Sequence, residues 1–264
     1  LLKNAGFKVS YQMMPGLYGS TPKKDLAMFE EIFNNPNFKP DYLKIYPLAL
    51  VKNTKLYNLY KQKKFKPYTE KQLTQLLIEI KKIIPCWVRV ERIIRDIPPK
   101  DIVEGGSKLL NMREVIQKEM AKNNIACQCI RCREVGANYD NKEKIYLFKQ
   151  EYEASNNKEV FLSFENKNRT KLYGLLRLRL LAPKALGAIV RELHIYGQMA
   201  QIGEPQSSVE SQHKGLGKKL MLEAEKIAKK NNCKSIAVIS GVGVRGYYRK
   251  LGYKLQKTYM AKKL

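Results

Sequence analysis

The stretch Gln212-His213-Lys214-Gly215-Leu216-Gly217 narrows the choice of fold most, because it stands directly before a helix pattern. That pattern is an amphipathic run from Lys218 to Lys230, with Leu220, Met221, Ala224, Ile227 and Ala228 at helical spacing. Ser235 to Ser240 then reads as a buried strand, and Gly246-Tyr247-Tyr248-Arg249-Lys250-Leu251-Gly252-Tyr253 closes the segment. A glycine turn that opens a helix bares backbone N–H groups at the helix's positive end, a ready seat for a phosphate. Gly215 and Gly217 let the backbone approach that phosphate closely. A lone Gly-x-Gly is most often a turn; the ordered set of loop, helix, strand and Tyr-Tyr-x-x-Leu-Gly-Tyr is what gives it chemical meaning.

The chain upstream is α/β in pattern. Lys144–Phe148 and Glu159–Phe164 read as strands joined by the polar turn Ser155–Lys158, followed by strands over Leu172–Leu181 and Ala188–Gly197. The first half alternates differently: a strand in Phe7–Met14, a helix over Asp25–Phe33 capped by Ser20 or Thr21, a strand in Asp41–Leu48, and a short helix over Thr54–Gln62. A further helix begins at Thr69 with Gln72 at capping-box spacing and Leu73, Leu76, Leu77, Ile80 and Ile83 on one face. A strand comes next within Trp87–Pro98, and 107–123 reads as a helix that is polar on most sides. This order suggests βα units of a parallel sheet or barrel, too few for a whole barrel.

Three of the five cysteines fall in Cys127-Gln128-Cys129-Ile130-Arg131-Cys132. Thiolates at this spacing can close around one tetrahedral ion and supply three of its ligands. Cys86 is the first candidate for the fourth, with His194 and Cys233 behind it. Zinc suits the set best; an iron–sulfur cluster or simply buried thiols are the other readings. A structural zinc here would staple the loop between two domains. Arg89, Arg92 and Arg95 cannot all share one face of a strand, since Arg92 is out of phase with the other two. One set can reach a substrate phosphate, and ordinary edge charge is the plainer reading.

The net charge of +26 is spread over both halves of the 264 residues. A basic surface of this extent suits a polyanion, nucleic acid first, though a lysine-rich host composition gives the same number. No apolar stretch approaches the ~18 residues of a membrane span, and nothing resembles a signal peptide, so a cytoplasmic setting is expected. The first residues carry no initiator Met, which suggests a chain that starts partway into a longer protein.

The glycine loop, helix, strand and tyrosine pair resemble the acetyl-CoA half of the GCN5-related N-acetyltransferase (GNAT) fold. The resemblance is closer than the fold. Arg191–Gly197, Gln212–Gly217 and Ile239–Tyr253, with Arg92–Pro98, Arg131–Gly136, Asp41–Pro47 and Met13–Gly16, are similar to the catalytic subunit of Elongator, in an archaeal or bacterial single-subunit form. That resemblance covers essentially the whole chain. It implies a C-terminal GNAT domain (139–264), a connecting helix and cysteine (zinc) loop (99–138), and the C-terminal part of a radical S-adenosylmethionine βα barrel (1–98).

The activity implied is a tRNA uridine(34) acetyltransferase that uses acetyl-CoA to modify carbon 5 of the wobble uridine; a GNAT-type protein lysine acetyltransferase is the alternative. The partners implied are acetyl-CoA and the anticodon region of tRNA, with other Elongator subunits only if the protein is eukaryotic. The 4Fe–4S cluster and S-adenosylmethionine are implied for the full-length protein, whose cluster motif lies upstream; no cysteine precedes Cys86 here. This fragment is therefore expected to bind acetyl-CoA without completing the reaction. The resemblance places Gly215, Leu216 and Gly217 at the CoA pyrophosphate with Gln212 and Lys214 beside it, and Glu192, Leu193, His194 and Ile195 along the acetyl and pantetheine part. His194 is a ligand contact, a metal ligand or a core histidine. Tyr247 or Tyr248 protonates or stabilises the departing thiolate, with Tyr248 slightly favoured by its spacing to Leu251-Gly252-Tyr253.

Overall fold

Local signals account for the helices of the first half. The structure, a computed structural model, describes residues 1–106, 111–136, 142–181, 187–197 and 215–264. Helix α1, Pro22–Asn34, starts at Thr21, whose hydroxyl accepts from the Lys24 N–H. Helix α3, Glu70–Ile83, carries a complete capping box between Thr69 and Gln72. Strand β1 (Ser10–Met13) precedes α1, and β2 (Tyr42–Ile45), β3 (Ala49–Val51) and helix α2 (Lys55–Lys61) lie between α1 and α3. Strands β4 (Arg89–Ile93) and β5 (Ile102–Gly105), helix α4 (Met112–Lys122) and the short α5 (Ile130–Arg133) come after α3.

Strands β1, β2 and β4 form a parallel sheet in that order, and β3 pairs antiparallel with β5. Phe29, Phe33, Leu43, Ile45, Leu73, Leu77, Ile80, Val88 and Val90 form a core between helices and sheet, as parallel strands covered by helices require. The first half is thus a piece of a βα-type layer.

The second half is a seven-stranded sheet. Strands β6 (Ile145–Ala154), β7 (Asn157–Asn166), β8 (Leu172–Leu180) and β9 (Gly187–Ile195) run antiparallel to their neighbours. Helix α6, Leu216–Lys230, then crosses to β10 (Ser235–Val238), which lies parallel to β9. Helix α7 (Arg245–Lys250) and strands β11 (Lys254–Gln256) and β12 (Tyr259–Lys263) finish the chain. Leu220, Met221, Ala224 and Ala228 of α6 join Leu176, Leu178, Val190 and Ile236 of the sheet in one core. The two closing strands lie beyond the expected strand and helix order.

The chain divides into Ser10–Cys132 and a second unit made of Leu1–Val9 with Arg133–Leu264. This differs from cuts at 98 and 138, chiefly at the start of the chain. Leu1–Val9 groups with the seven-stranded sheet because its backbone and one amide side chain are gripped there. Arg191 donates to the Phe7 carbonyl at 2.9 Å, Tyr259 to the Ala5 carbonyl at 2.9 Å, and Arg179 to Asn4 Oδ1 at 2.7 Å. Gly6, at φ 89°, lies against Ile189 and Ile239.

Candidate functional site

The second unit opens where its two central strands part. The β9–β10 ladder ends at Val190 opposite Val238, with one longer bond, Ile239 N–H to the Val190 carbonyl at 3.4 Å, beyond it. Strand β9 runs on to Ile195, so Glu192–Ile195 lies beyond the end of its pairing with β10. A bulge in the β8–β9 register sets Arg177 opposite Glu192 and Leu178 opposite Val190, leaving Arg191 as the extra residue. A bulge at such a point re-aims the residues beyond it.

Helix α6 begins at the same opening. Gly215 has φ 121°, a conformation that disfavours any side chain, and no side chain among the described residues caps the helix. The first amides of a 15-residue helix are the kind of donors that can receive an anion. A Cβ on Gly217 would lie 2.9 Å from the Tyr247 hydroxyl and 3.8 Å from Ile195 Cγ1. Three separated parts of the sequence thus meet at one spot: the start of α6, the end of β9 and the start of α7.

The tyrosine pair is divided by burial. Tyr248 is 6% exposed and belongs to the apolar core, edge-on to Tyr253. Tyr247 is 37% exposed, with its hydroxyl over Gly217. Burial pushes the Tyr248 phenol up to about 12 and raises that of Tyr247, so both are neutral near pH 7. The structure sets the Tyr247 hydroxyl at Gly217 and Tyr248 in the core, because adjacent residues on a helix face different ways.

Of the other expected residues, Glu192 faces Arg177, whose Nε donates at 2.8 Å, and Lys8 Nζ lies 3.8 Å away. Leu193 and Ile195 are half-buried and pack on the core. His194 is exposed and lies tilted against Tyr196, at 4.3 Å between ring centres, which removes the reading of it as a core histidine. Gln212 and Lys214 lie outside the described residues. Two residues not singled out from sequence are Ser240 and Arg245, whose Oγ and Nε are buried without a hydrogen-bond partner among the described residues. They bracket the exposed turn Gly241–Val244 just before Tyr247, and orphaned polar atoms beside an opening suit a polar ligand. No residue-type signal marks them in the sequence.

The first unit holds a separate cluster. The Sγ atoms of Cys127, Cys129 and Cys132 all lie within 4.8 Å of one another. Three sulfurs around a tetrahedral zinc stand about 3.8 Å apart, so closing the group needs only a small movement. The Ile130 N–H to the Val88 carbonyl, 3.0 Å, ties this loop to the start of β4. Cys86, His194 and Cys233 are not in the group; Cys233 is buried in the core of the other unit. What stands against the thiols is Lys81 of α3, with Nζ 3.2 Å from Cys132 Sγ. Gln117 Nε2 of α4 lies 3.6 Å from the same sulfur. Hydrogen bonds from Cys127 and Cys129, then the Lys81 ammonium, hold the Cys132 thiol well below its ordinary range.

At the carboxyl ends of β1, β2 and β4 is a cavity of about 430 Å³ lined by Gln12, Met13, Met14, Tyr46, Arg92, Arg95 and Asp96. Arg92 and Arg95 share it and Arg89 does not line it. The expected alternation fails there because β4 stops at Ile93, and the chain beyond it is no longer extended in register. Arg92 is ion-paired with Asp96.

Comparison with known proteins fits this geometry. The Radical_SAM C-terminal domain family matches residues 40–122, and the Acetyltransferase (GNAT) family matches residues 207–253. The tRNA uridine(34) acetyltransferase of Methanocaldococcus infernus is 45% identical over 279 residues, covering 100% of this chain and 52% of its own length. Elongator complex protein 3 of Homo sapiens is 41% identical over 276 residues, covering 100% of this chain and 50% of its own. The solved structure of the archaeal Methanocaldococcus infernus Elp3 with an N-terminal deletion superposes with a TM-score of 0.87 at 45% identity, covering 100% of this chain and 65% of that one. The chain spans about half the length of these curated relatives. Similar to them along its whole length and matched by both domain families, the chain is homologous to the tRNA uridine(34) acetyltransferases and Elongator complex protein 3 over about half of their length.

Proposed function

We propose that this chain is the acetyl-CoA-binding part of a tRNA uridine(34) acetyltransferase, a transferase that modifies carbon 5 of the wobble uridine. The observation that carries the reading is the meeting of Tyr247, Gly217 and Ile195 at the parted strands. The α6 amides of Leu216, Gly217 and Lys218 receive the pyrophosphate, and Gln212 and Lys214 flank it. The stretch Glu192–Ile195 offers backbone groups to the amides of the pantetheine arm, as an added strand would. The acetyl thioester then reaches the Tyr247 hydroxyl. Because burial raises that phenol, it holds its proton at neutral pH and delivers it to the sulfur as the acyl carbon bonds its nucleophile and the C–S bond breaks, so that CoA leaves as the thiol. Tyr248 supports the ring beneath it, at 5.2 Å between ring centres.

The acceptor is a tRNA base rather than an amine. The similarity to proteins named for tRNA uridine(34) supports this, as do the charge of +26 and the guanidinium groups of Arg92 and Arg95 at the carboxyl edge of the parallel sheet. In the whole protein, an iron–sulfur cluster and S-adenosylmethionine supply the radical chemistry that makes a carbon acceptor reactive. Cys127, Cys129 and Cys132 hold a structural zinc. No described helix is long and apolar enough to cross a membrane.

Acetyl-CoA turnover by the full-length protein, measured with tRNA, without it, and with a histone-tail peptide, tests the assignment. Turnover that responds to tRNA and leaves the peptide unmodified is expected. Peptide acetylation indifferent to tRNA would identify a lysine acetyltransferase instead.

A further inference from the structure

Lys81 is 0% exposed, and its ammonium has no hydrogen-bond acceptor among the described residues other than Cys132 Sγ, at 3.2 Å. A buried cation is normally matched by a carboxylate, and burying it alone costs several kcal/mol. Here the surroundings are the three thiols, one of them fully buried, and the apolar faces of α3 and α4. The position is not accidental in the helix. Leu73, Leu77 and Lys81 form one i, i+4 row of α3, so the lysine takes a place where the pattern calls for an apolar residue.

Charge counting gives this placement a purpose. Three thiolates around a divalent ion leave a net charge of −1, and four leave −2. Either is costly in a poorly hydrated site unless an opposite charge stands beside it. One ammonium in hydrogen-bond contact with one of three sulfurs brings the first arrangement to zero. It leaves the second uncompensated.

We propose that Lys81 is the outer charge partner of a three-thiolate metal centre, standing in for a fourth protein thiolate. Cys127, Cys129 and Cys132 are the protein ligands, and Lys81, with Gln117 behind it, holds the Cys132 sulfur and neutralises the set. Cys86 is not a ligand. The remaining coordination position belongs to a neutral donor such as water. The selected guest is a divalent ion that accepts sulfur at tetrahedral angles, zinc before any oxygen-seeking cation. This inference rests on the cysteine cluster being a metal site, and deepens it by fixing the ligand count and the residue that balances it.

The test is zinc affinity by chelator competition in the reduced protein, with cobalt absorption to count thiolates. Lys81→Met removes the charge and keeps the shape. It is expected to weaken zinc binding about 10–100-fold, the usual cost of losing an outer-shell partner. The metal-free protein should melt no lower than wild type, since a buried charge has been removed. Cys86→Ser, which does not depend on the Lys81 variant folding, is expected to leave both affinity and the cobalt spectrum unchanged. Wild-type affinity in Lys81→Met would overturn the role of the lysine while leaving the metal site intact. A loss of affinity or a changed cobalt spectrum in Cys86→Ser would overturn the three-thiolate count. Absence of zinc binding by the wild-type protein would overturn the site and the inference together.

Discussion

The two units bury cations in opposite ways. In the acetyltransferase unit, Arg179 and Arg191 share the carboxylate of Glu159, at 2.7 and 2.8 Å, with all three side chains essentially buried. Other donors of theirs go to the carbonyls of Ala154, Ser155 and Phe7 and to Asn4 Oδ1. That network is closed: every charge is answered within the unit. In the unit that holds the cysteines, the buried ammonium of Lys81 faces sulfur. Sulfur answers a cation best in its anionic form, the form in which it would also ligate a metal. A closed carboxylate network belongs to the scaffold and is indifferent to ligands. A cation set against thiols ties its unit to whatever the thiols bind.

Three perturbations sharpen this contrast, in falling order of effect. Glu159→Ala leaves two buried guanidinium groups unanswered and should cost about 3–5 kcal/mol, whether or not metal is present. Denaturation followed by far-UV circular dichroism reads it, and a loss under about 1 kcal/mol would mean that water reaches the site. Tyr247→Phe should lower acetyl-CoA turnover about a hundredfold, the low end of general-acid contributions, while Tyr248→Phe changes turnover little. The reverse ranking would return the acid to Tyr248. Chelation of the metal should shift downward the transition reported by Trp87 fluorescence, a clean probe because the chain has one Trp. No shift would detach the thiols from the stability of their unit.

A fourth and smaller effect is acid lability at Glu165. Burial raises its carboxyl, but Arg133, Arg169 and Ser163 outweigh that and hold it below its ordinary value. A depressed carboxylate stabilises the folded state above the unfolded pKa of about 4.3 and loses that contribution as pH falls through the folded value. Glu165→Gln should therefore flatten the stability profile below about pH 4. An unchanged acid limb would show that the pair with Arg133, at 2.7 Å, contributes nothing there.

What could be read from the sequence was whatever is local. The Thr69–Gln72 capping box and the α6 stripe depend on residues three and four apart, and both are present. The antiparallel pairing of β3 with β5 was not legible, since Ala49 and Gly105 meet across a long stretch of chain that holds other elements. Strand β11 is exposed throughout and so carries no alternation to detect. The grip on Leu1–Val9 runs largely through the carbonyls of Ala5 and Phe7, which every residue type possesses, with the Asn4 side chain as its one residue-specific contact named above. The choice between Tyr247 and Tyr248 turned on which face of a short helix meets the core, information that sits in the partner elements. Lys81 was legible in principle: a lysine in an i, i+4 row with Leu73 and Leu77 marks a buried charge looking for a partner.

The central claim is that the start of α6, the end of β9 and Tyr247 form one acetyl-CoA cradle. Calorimetric titration of acetyl-CoA into wild type and Gly217→Glu tests it most directly. Any side chain at 217 meets the Tyr247 hydroxyl, and a carboxylate there also repels the pyrophosphate. Saturable binding by wild type and its loss in Gly217→Glu, with the fold retained by circular dichroism, is the result expected. Undiminished affinity in the variant would contradict the cradle.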